Sequence, residues 1–277
     1  MKFFTQISTA VAKKRPARSY EQKILLTPGP VAVHRRVSAA IAKGLHLHHR
    51  SREFSQLLEE AITKYNHLFQ VPNTFQTLIY GGSGTAMNEA MLCSLAAAGQ
   101  GHILILYNGD FGKRLIAMCQ KLRLPFMCCP LTGDADEDTQ QIEDILRQND
   151  IRAVAYVHHE TSNGRINNLS WLKDLKLKCR LLIGVDAISS IAGEVFDFDR
   201  LAPDLVVTSS GKAIGAFAGL GILSIKRSVL AKLQDQPVTT HYLCPGKMAD
   251  AYNQNRMTPF TPPTLLFYPF LAALNVL

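Results

Sequence analysis

Residues 75–98 read FQTLIYGGSGTAMNEAMLCSLAAA. The first six are a short apolar run with the composition of a buried strand. Gly81 and Gly82 turn the chain, and the run from Ala86 to Ala98 is rich in good helix formers. A strand that turns through glycines straight into a helix is half of a βαβ unit, and the same punctuation recurs outward from it. HILILY (102–107), LPFMCC (124–129), IRAVAYV (151–157), RLLIGV (180–185), DLVVTS (204–209) and LGILSI (220–225) are further short apolar runs, separated mostly by helix-compatible stretches. The expected fold is α/β: a mainly parallel seven-stranded sheet between helices, three layers deep, with right-handed crossovers. Upstream, Phe54, Leu57, Leu58, Ile62, Tyr65, Leu68 and Phe69 recur at three- and four-residue steps and predict an amphipathic helix over 51–69. The 168–178 segment, with Trp171, predicts a further helix covering the sheet.

The whole chain of 277 residues is 47% hydrophobic and 19% charged, which excludes the disordered and fibrous classes. Its longest apolar runs fall well short of the ~20 residues of a membrane helix. Of the net charge of +8, five units come from Lys2, Lys13, Lys14, Arg15 and Arg18, in a first 20 residues without an acid, leaving +3 for the rest. Residues 1–23 are therefore expected to be a basic N-terminal arm, or a targeting segment, rather than part of the core. No basic stripe interleaved with aromatics follows it, so nucleic acid is not an expected partner, and neither is a membrane. Cys93, Cys119, Cys128, Cys129, Cys179 and Cys244 form no CxxC pair, and several lie in apolar runs. They read as free thiols in a reducing compartment, which makes the cytoplasm the expected location.

Open α/β sheets bind ligands beyond the carboxyl ends of their strands. Four such junctions carry chemistry here: Gly81-Gly82-Ser83-Gly84-Thr85, Asn108-Gly109-Asp110-Phe111-Gly112, Asp186, and Ser210-Gly211-Lys212. The first presents free N–H groups at a helix start, a cradle for an anion such as phosphate, although a glycine turn also serves merely to turn. The established phosphate and nucleophile patterns fail. Met87 stands at the third position of a dinucleotide fingerprint, Val206 and Ala213 break a Walker loop around Gly211-Lys212, and Thr85 replaces the last glycine of a hydrolase elbow. Asp186 is delivered from an apolar strand, where a bare charge is costly without a cation, unless it is only a turn aspartate. Lys212, among small residues, is either an amine poised to attack a carbonyl or a solvated turn lysine. Together, a phosphate cradle, a buried carboxylate, the aromatic face of Phe111 and an amine are the complement of one cofactor, pyridoxal phosphate.

At these residues the chain resembles the class V aminotransferases, fold-type-I pyridoxal-phosphate enzymes, in the serine– or alanine–glyoxylate and 2-aminoethylphosphonate–pyruvate branch. The resemblance runs from about residue 24 to the end, through LLTPGP (25–30), HHRSREF (48–54), GGSGTAMNEA (81–90), NGDFGKR (108–114), HHETSNG (158–164), VDAISSIAGE (185–194), SSGKAIGAFAG (209–219) and TPFTPPT (258–264). It implies that Lys212 holds the cofactor covalently and then moves a proton, and that Asp186 keeps the pyridine nitrogen protonated. By the same resemblance Phe111 would stack on the ring, Ser83, Gly84 and Thr85 would hold the phosphate, and Thr161 would lie near the phenolic oxygen. Thr258 and Thr261 match positions that reach across a homodimer interface to the partner's phosphate. The implied activity is transamination from a small amino donor of the alanine or serine type to a 2-oxo acid such as pyruvate or glyoxylate. The alternatives are 2-aminoethylphosphonate–pyruvate transamination, a lyase or desulfurase using Cys244, and a truncated cofactor-binding chain without full activity.

The resemblance also implies a division into a cofactor-binding large domain over 24–262 and, at 263–277, the start of a helix leading to a small C-terminal domain. That domain, with the arginine that grips the substrate carboxylate, is expected to be largely absent here. Gly211 departs from the hydrogen-bonding residue many relatives place before the lysine. The His46, His48, His49, Arg50, Arg52 cluster has no carboxylate or thiol spacing for a metal, and none is expected. Arg50 is expected either to meet an anionic substrate or to lie in a solvated loop, and His158, His159 and Glu160 to surround the cofactor or the core.

Overall fold

Period-two alternation in the strands becomes two differently covered faces of one sheet. In β1 (Phe75–Gly81), β2 (His102–Tyr107), β3 (Phe126–Pro130) and β4 (Ile151–Val157) the run boundaries agree with the sequence to within two residues. The same holds for β7 (Leu182–Asp186), β8 (Leu205–Ser209) and β9 (Leu220–Lys226), while β5 (His159–Glu160) and β6 (Arg165–Ile166) form a small separate hairpin. That hairpin was not expected, because two-residue strands carry no periodic signal. The computed structural model describes residues 25–235 and 238–277, so the basic arm over 1–23 lies outside the described residues.

The seven-stranded sheet has the order β1-β9-β8-β7-β4-β2-β3. Four neighbouring pairs are parallel, and only β9 runs against its neighbours, with Gly81 opposite Leu220 and Ser209 opposite Gly221. The reason is length: residues 210–219 are too few for the dozen or more a parallel crossover needs, so the chain doubles back. Because β8 is parallel to β7, the loop carrying Lys212 leaves the same sheet edge as the ends of the other parallel strands, and β9 starts back from that edge.

Leu78, Tyr80, Ile103, Ile105, Ala153, Ala155, Val207, Leu223 and Ile225 face one layer, packed on the helices Gly84–Gly99, Asp110–Leu122 and Arg227–Asp235. Ile79, Val206 and Ile222 face the other, against Arg52–Leu68 and Phe267–Leu274; Leu104, Val154, Tyr156 and Ile183 face Ala135–Gln148 and Leu172–Cys179. Helix Arg52–Leu68 starts where Ser51 Oγ accepts from the Phe54 amide at 3.1 Å. Phe54 packs edge-on against Phe267 at 5.0 Å, worth about 1 kcal/mol beyond its burial, and so ties the last helix to the core. Helix Gly84–Gly99 is apolar nearly all round and central: it is covered by the sheet beneath and by helices Asp110–Leu122 and Arg227–Asp235. No helix of the described residues is long and apolar enough to cross a membrane.

Candidate active site

A cavity of about 250 Å³ lies at the carboxyl edge of the sheet. Six of the nine residues expected from the sequence line it together: Ser83, Gly84, Thr85, Phe111, Asp186 and Lys212. A larger depression of about 700 Å³, between Leu68–Pro72 and Ile191–Asp199, has neither a lysine nor a hydroxyl or thiol nucleophile in its walls. Chemistry, not size, selects the smaller one.

Ser83 caps helix Gly84–Gly99, its Oγ accepting from the Ala86 amide, so the cavity opens on the positive end of a sixteen-residue helix. Gly84 has no room for a side chain: a Cβ there would sit 2.6 Å from Ile188 Cδ1. Asp186, at the end of β7, is 4% exposed. Its Oδ1 accepts from the Ile188 amide at 2.9 Å and its Oδ2 from Asn88 Nδ2 at 2.6 Å. It takes part in none of the ion pairs among the described residues. Burial pushes its pKa up to about 6; the two hydrogen bonds pull it down, Glu160 adds repulsion, and Arg114 attraction.

Lys212 is half-buried on a loop fastened by Ser210, whose hydroxyl donates to the Phe217 carbonyl at 2.6 Å while its carbonyl accepts from the Ala216 amide at 3.0 Å. Gly29 packs onto it: with φ at +151°, a Cβ there would fall 2.2 Å from Lys212 Cδ. Phe111 is set by Glu160, a fully buried carboxylate that accepts from the Phe111 and Gly112 amides at 3.3 and 3.0 Å. The Arg114 guanidinium lies over the Phe111 ring, 4.7 Å from its centre.

The other three expected residues lie elsewhere. Thr161 is half-buried outside the cavity walls. Thr258 is 2% exposed with its hydroxyl donating to the Phe260 carbonyl, and Thr261 is exposed, 3.4 Å from His49 Nε2. Arg50 clasps this segment, donating to the carbonyls of Thr258 at 2.8 Å and Pro259 at 3.0 Å. Arg50 stays exposed in the loop before the helix, but its guanidinium is tied to this backbone segment. His158 is buried against Phe196 and pushed down to about 4, hence neutral, whereas His159 lines the cavity beside the Ser189 carbonyl. All six cysteines are free, and burial raises the thiols of Cys93, Cys119 and Cys129. Cavity residues that the sequence reading missed are Asn88, Arg114 and Gly29. The first two carried a signal, since Asn88 lies one turn after Gly84 and Arg114 one turn after Phe111.

The Aminotransferase class-V family model matches residues 31–277. The chain belongs to this family. It is 28% identical over 258 residues to an uncharacterised aminotransferase of Methanocaldococcus jannaschii, covering 92% of this chain and 66% of that protein. A 2-aminoethylphosphonate–pyruvate transaminase of Bacillus cereus is 28% identical over 253 residues, covering 91% of this chain and 68% of that one. In fold it is similar to the alanine–glyoxylate aminotransferase of Nostoc sp., with a TM-score of 0.83 at 24% identity over 99% of this chain and 72% of the other. The class V chain described here thus spans about two thirds of the length of the curated relatives it matches.

Proposed function

We propose that this class V aminotransferase chain binds pyridoxal 5'-phosphate in the 250 Å³ cavity and, within the whole enzyme, moves an amino group from a small donor of the alanine or serine type to a 2-oxo acid such as pyruvate or glyoxylate. One observation carries the reading: a buried carboxylate without a cation, Asp186, shares a cavity with an amine, Lys212, and with a helix N-terminus. Each of the three lacks a counterpart that this cofactor has. A ring cation suits Asp186, a phosphate suits the N–H groups of Gly84 and Thr85 with the Ser83 and Thr85 hydroxyls, and an aldehyde suits Lys212.

When bound, the cofactor supplies an electron sink for charge developing at the amino-donor carbon. The chain's residues do the rest. Asp186 would hold the ring nitrogen protonated, and Phe111, held by Glu160, would offer its face to the ring. Lys212 would hold the cofactor, and its Nζ, when free, would be the group to carry a proton. Thr161 is proposed beside the phenolic oxygen. Gly29 leaves the space in which the Lys212 stem lies.

Homodimerisation, with Thr258 and Thr261 at the partner's phosphate site, belongs to the same proposal; the exposed Thr261 is the better suited, because the Thr258 hydroxyl is already bonded. The free cysteines suit a cytoplasmic location. The Bacillus cereus relative supports a second reading, with 2-aminoethylphosphonate as donor.

The test is reconstitution with pyridoxal 5'-phosphate, borohydride reduction and peptide mass mapping. The cofactor mass is expected on Lys212, and Lys212→Ala is expected to lose it completely; reduction onto another lysine overturns the assignment. Comparing alanine, serine and 2-aminoethylphosphonate as donors then separates the two readings.

A further inference from the structure

Asn88 stands out in helix Gly84–Gly99 on two physical grounds. Asparagine is a mediocre helix former, and here it is 4% exposed in a helix whose other residues are mostly Ala, Met and Leu. A buried amide is tolerated when both ends are bonded. Only one end is: Nδ2 donates to Asp186 Oδ2 at 2.6 Å, while Oδ1 is buried without a partner among the described residues. Because an ionised carboxylate accepts only, the NH₂ end must face Asp186, and Oδ1 is left free on a residue that lines the cavity.

We propose that Asn88 is the positioning residue of Asp186: it fixes the carboxylate in its charged form at the cavity wall and keeps Oδ1 as an acceptor for a donor that enters with the ligand. Asp186 has two supports, the Ile188 amide on Oδ1 and Asn88 on Oδ2, and both bond the charged form. The Ile188 amide belongs to the backbone, so Asn88 is the side-chain control on this charge. The other charged or titratable groups around Asp186 do not substitute for it. Glu160 repels, Arg114 attracts from helix Asp110–Leu122 without an ion pair, and Lys212 and His159 share the cavity but make no bond to the carboxylate. Burial opposes ionisation, and the Asn88 hydrogen bond works against it.

The inference rests on the proposed cofactor only for the acceptor role; the hydrogen bond can be tested without it. Asn88→Leu keeps the volume and removes the amide, and Asn88→Ala replaces it should the leucine variant fail to melt cooperatively. In the cofactor-free chain, the Asp186 carboxyl is titrated by ¹³C NMR, with Asp186→Asn assigning the signal. Its midpoint is expected to rise by roughly one pH unit. In the reconstituted chain, pyridoxal 5'-phosphate affinity is expected to fall about fivefold more near pH 6 than near pH 8.5, where the carboxylate is ionised in both proteins and only the loss of the Oδ1 acceptor is felt. An unshifted midpoint, or an equal loss of affinity at both pH values, overturns the proposal and makes Asn88 a packing residue. If the unmodified chain takes up no cofactor at either pH, the proposed function fails, while the NMR midpoint still decides the hydrogen bond.

Discussion

Asp186 and Asp204 are both 4% exposed, and they sit at opposite ends of adjacent strands, Asp186 closing β7 and Asp204 just before β8. Asp204 is fully compensated: Lys176 Nζ lies 2.6 Å away, Lys226 Nζ 3.2 Å, and the Ile183 amide donates at 2.8 Å. Asp186 has an amide and a backbone N–H, and forms no ion pair among the described residues. Burial alone therefore does not mark a functional acid. What marks it is the missing partner, because an uncompensated buried charge is tolerated only where something else is gained. The cost shows on both sides: burial raises Asp186, and it pulls Lys176 below the ordinary lysine value even though Asp204 supports the lysine's charge.

Exchanging the two sites' properties breaks the comparison if it is wrong. Asp186→Asn is expected to slow the amino-transfer half-reaction by roughly 10³-fold, followed as the cofactor's spectral change with amino donor. Its melting temperature should stay level or rise, since the change removes a bare charge. Asp204→Asn should do the reverse. Leaving two lysines without their acid should cost about 3–5 kcal/mol in urea unfolding, with borohydride labelling of Lys212 unchanged in whatever fraction remains folded. Loss of labelling by folded Asp204→Asn would end the distinction.

The pH dependence of stability comes next in size. Asp186 moves from an ordinary 3.8 to about 6 in the folded chain. Between those values the folded state binds a proton that the unfolded state has released, so this group's contribution is most favourable below the unfolded value and is lost as pH rises through about 6. Denaturant midpoints of the cofactor-free protein should carry this falling component, and in Asp186→Asn it should vanish. The smallest expected effect is at Lys226, which is 28% exposed and reaches Asp204 as the second of two cations. Lys226→Gln should cost about 1 kcal/mol, because Lys176 remains; a loss as large as that of Asp204→Asn would mean the two lysines act as one unit.

Much of the fold could be read along the chain, since strand runs and helix stripes are patterns of near neighbours. FQTLIY, HILILY and DLVVTS became strands, and Ser83, Phe111, Asp186 and Lys212 came to one edge because each follows its strand directly. The clasp of Arg50 on Thr258 and Pro259 was not legible, as it joins segments 208 residues apart and its acceptors are backbone carbonyls that any residue offers. Glu160 was legible as an acid near the site but not as the anchor of the Phe111 amide, because the β5–β6 hairpin that presents it is too short to leave a periodic trace.

The sequence by itself determined the layered α/β architecture and which residues end each strand, because hydrophobic period and glycine turns act over a few residues. Only the tertiary structure decided the electrostatics. Whether an aspartate meets two lysines or an asparagine depends on strand order and helix placement, which bring together groups 22 to 98 positions apart. Local propensity carries no record of those distances, whereas charge compensation in a poorly solvated interior depends on them.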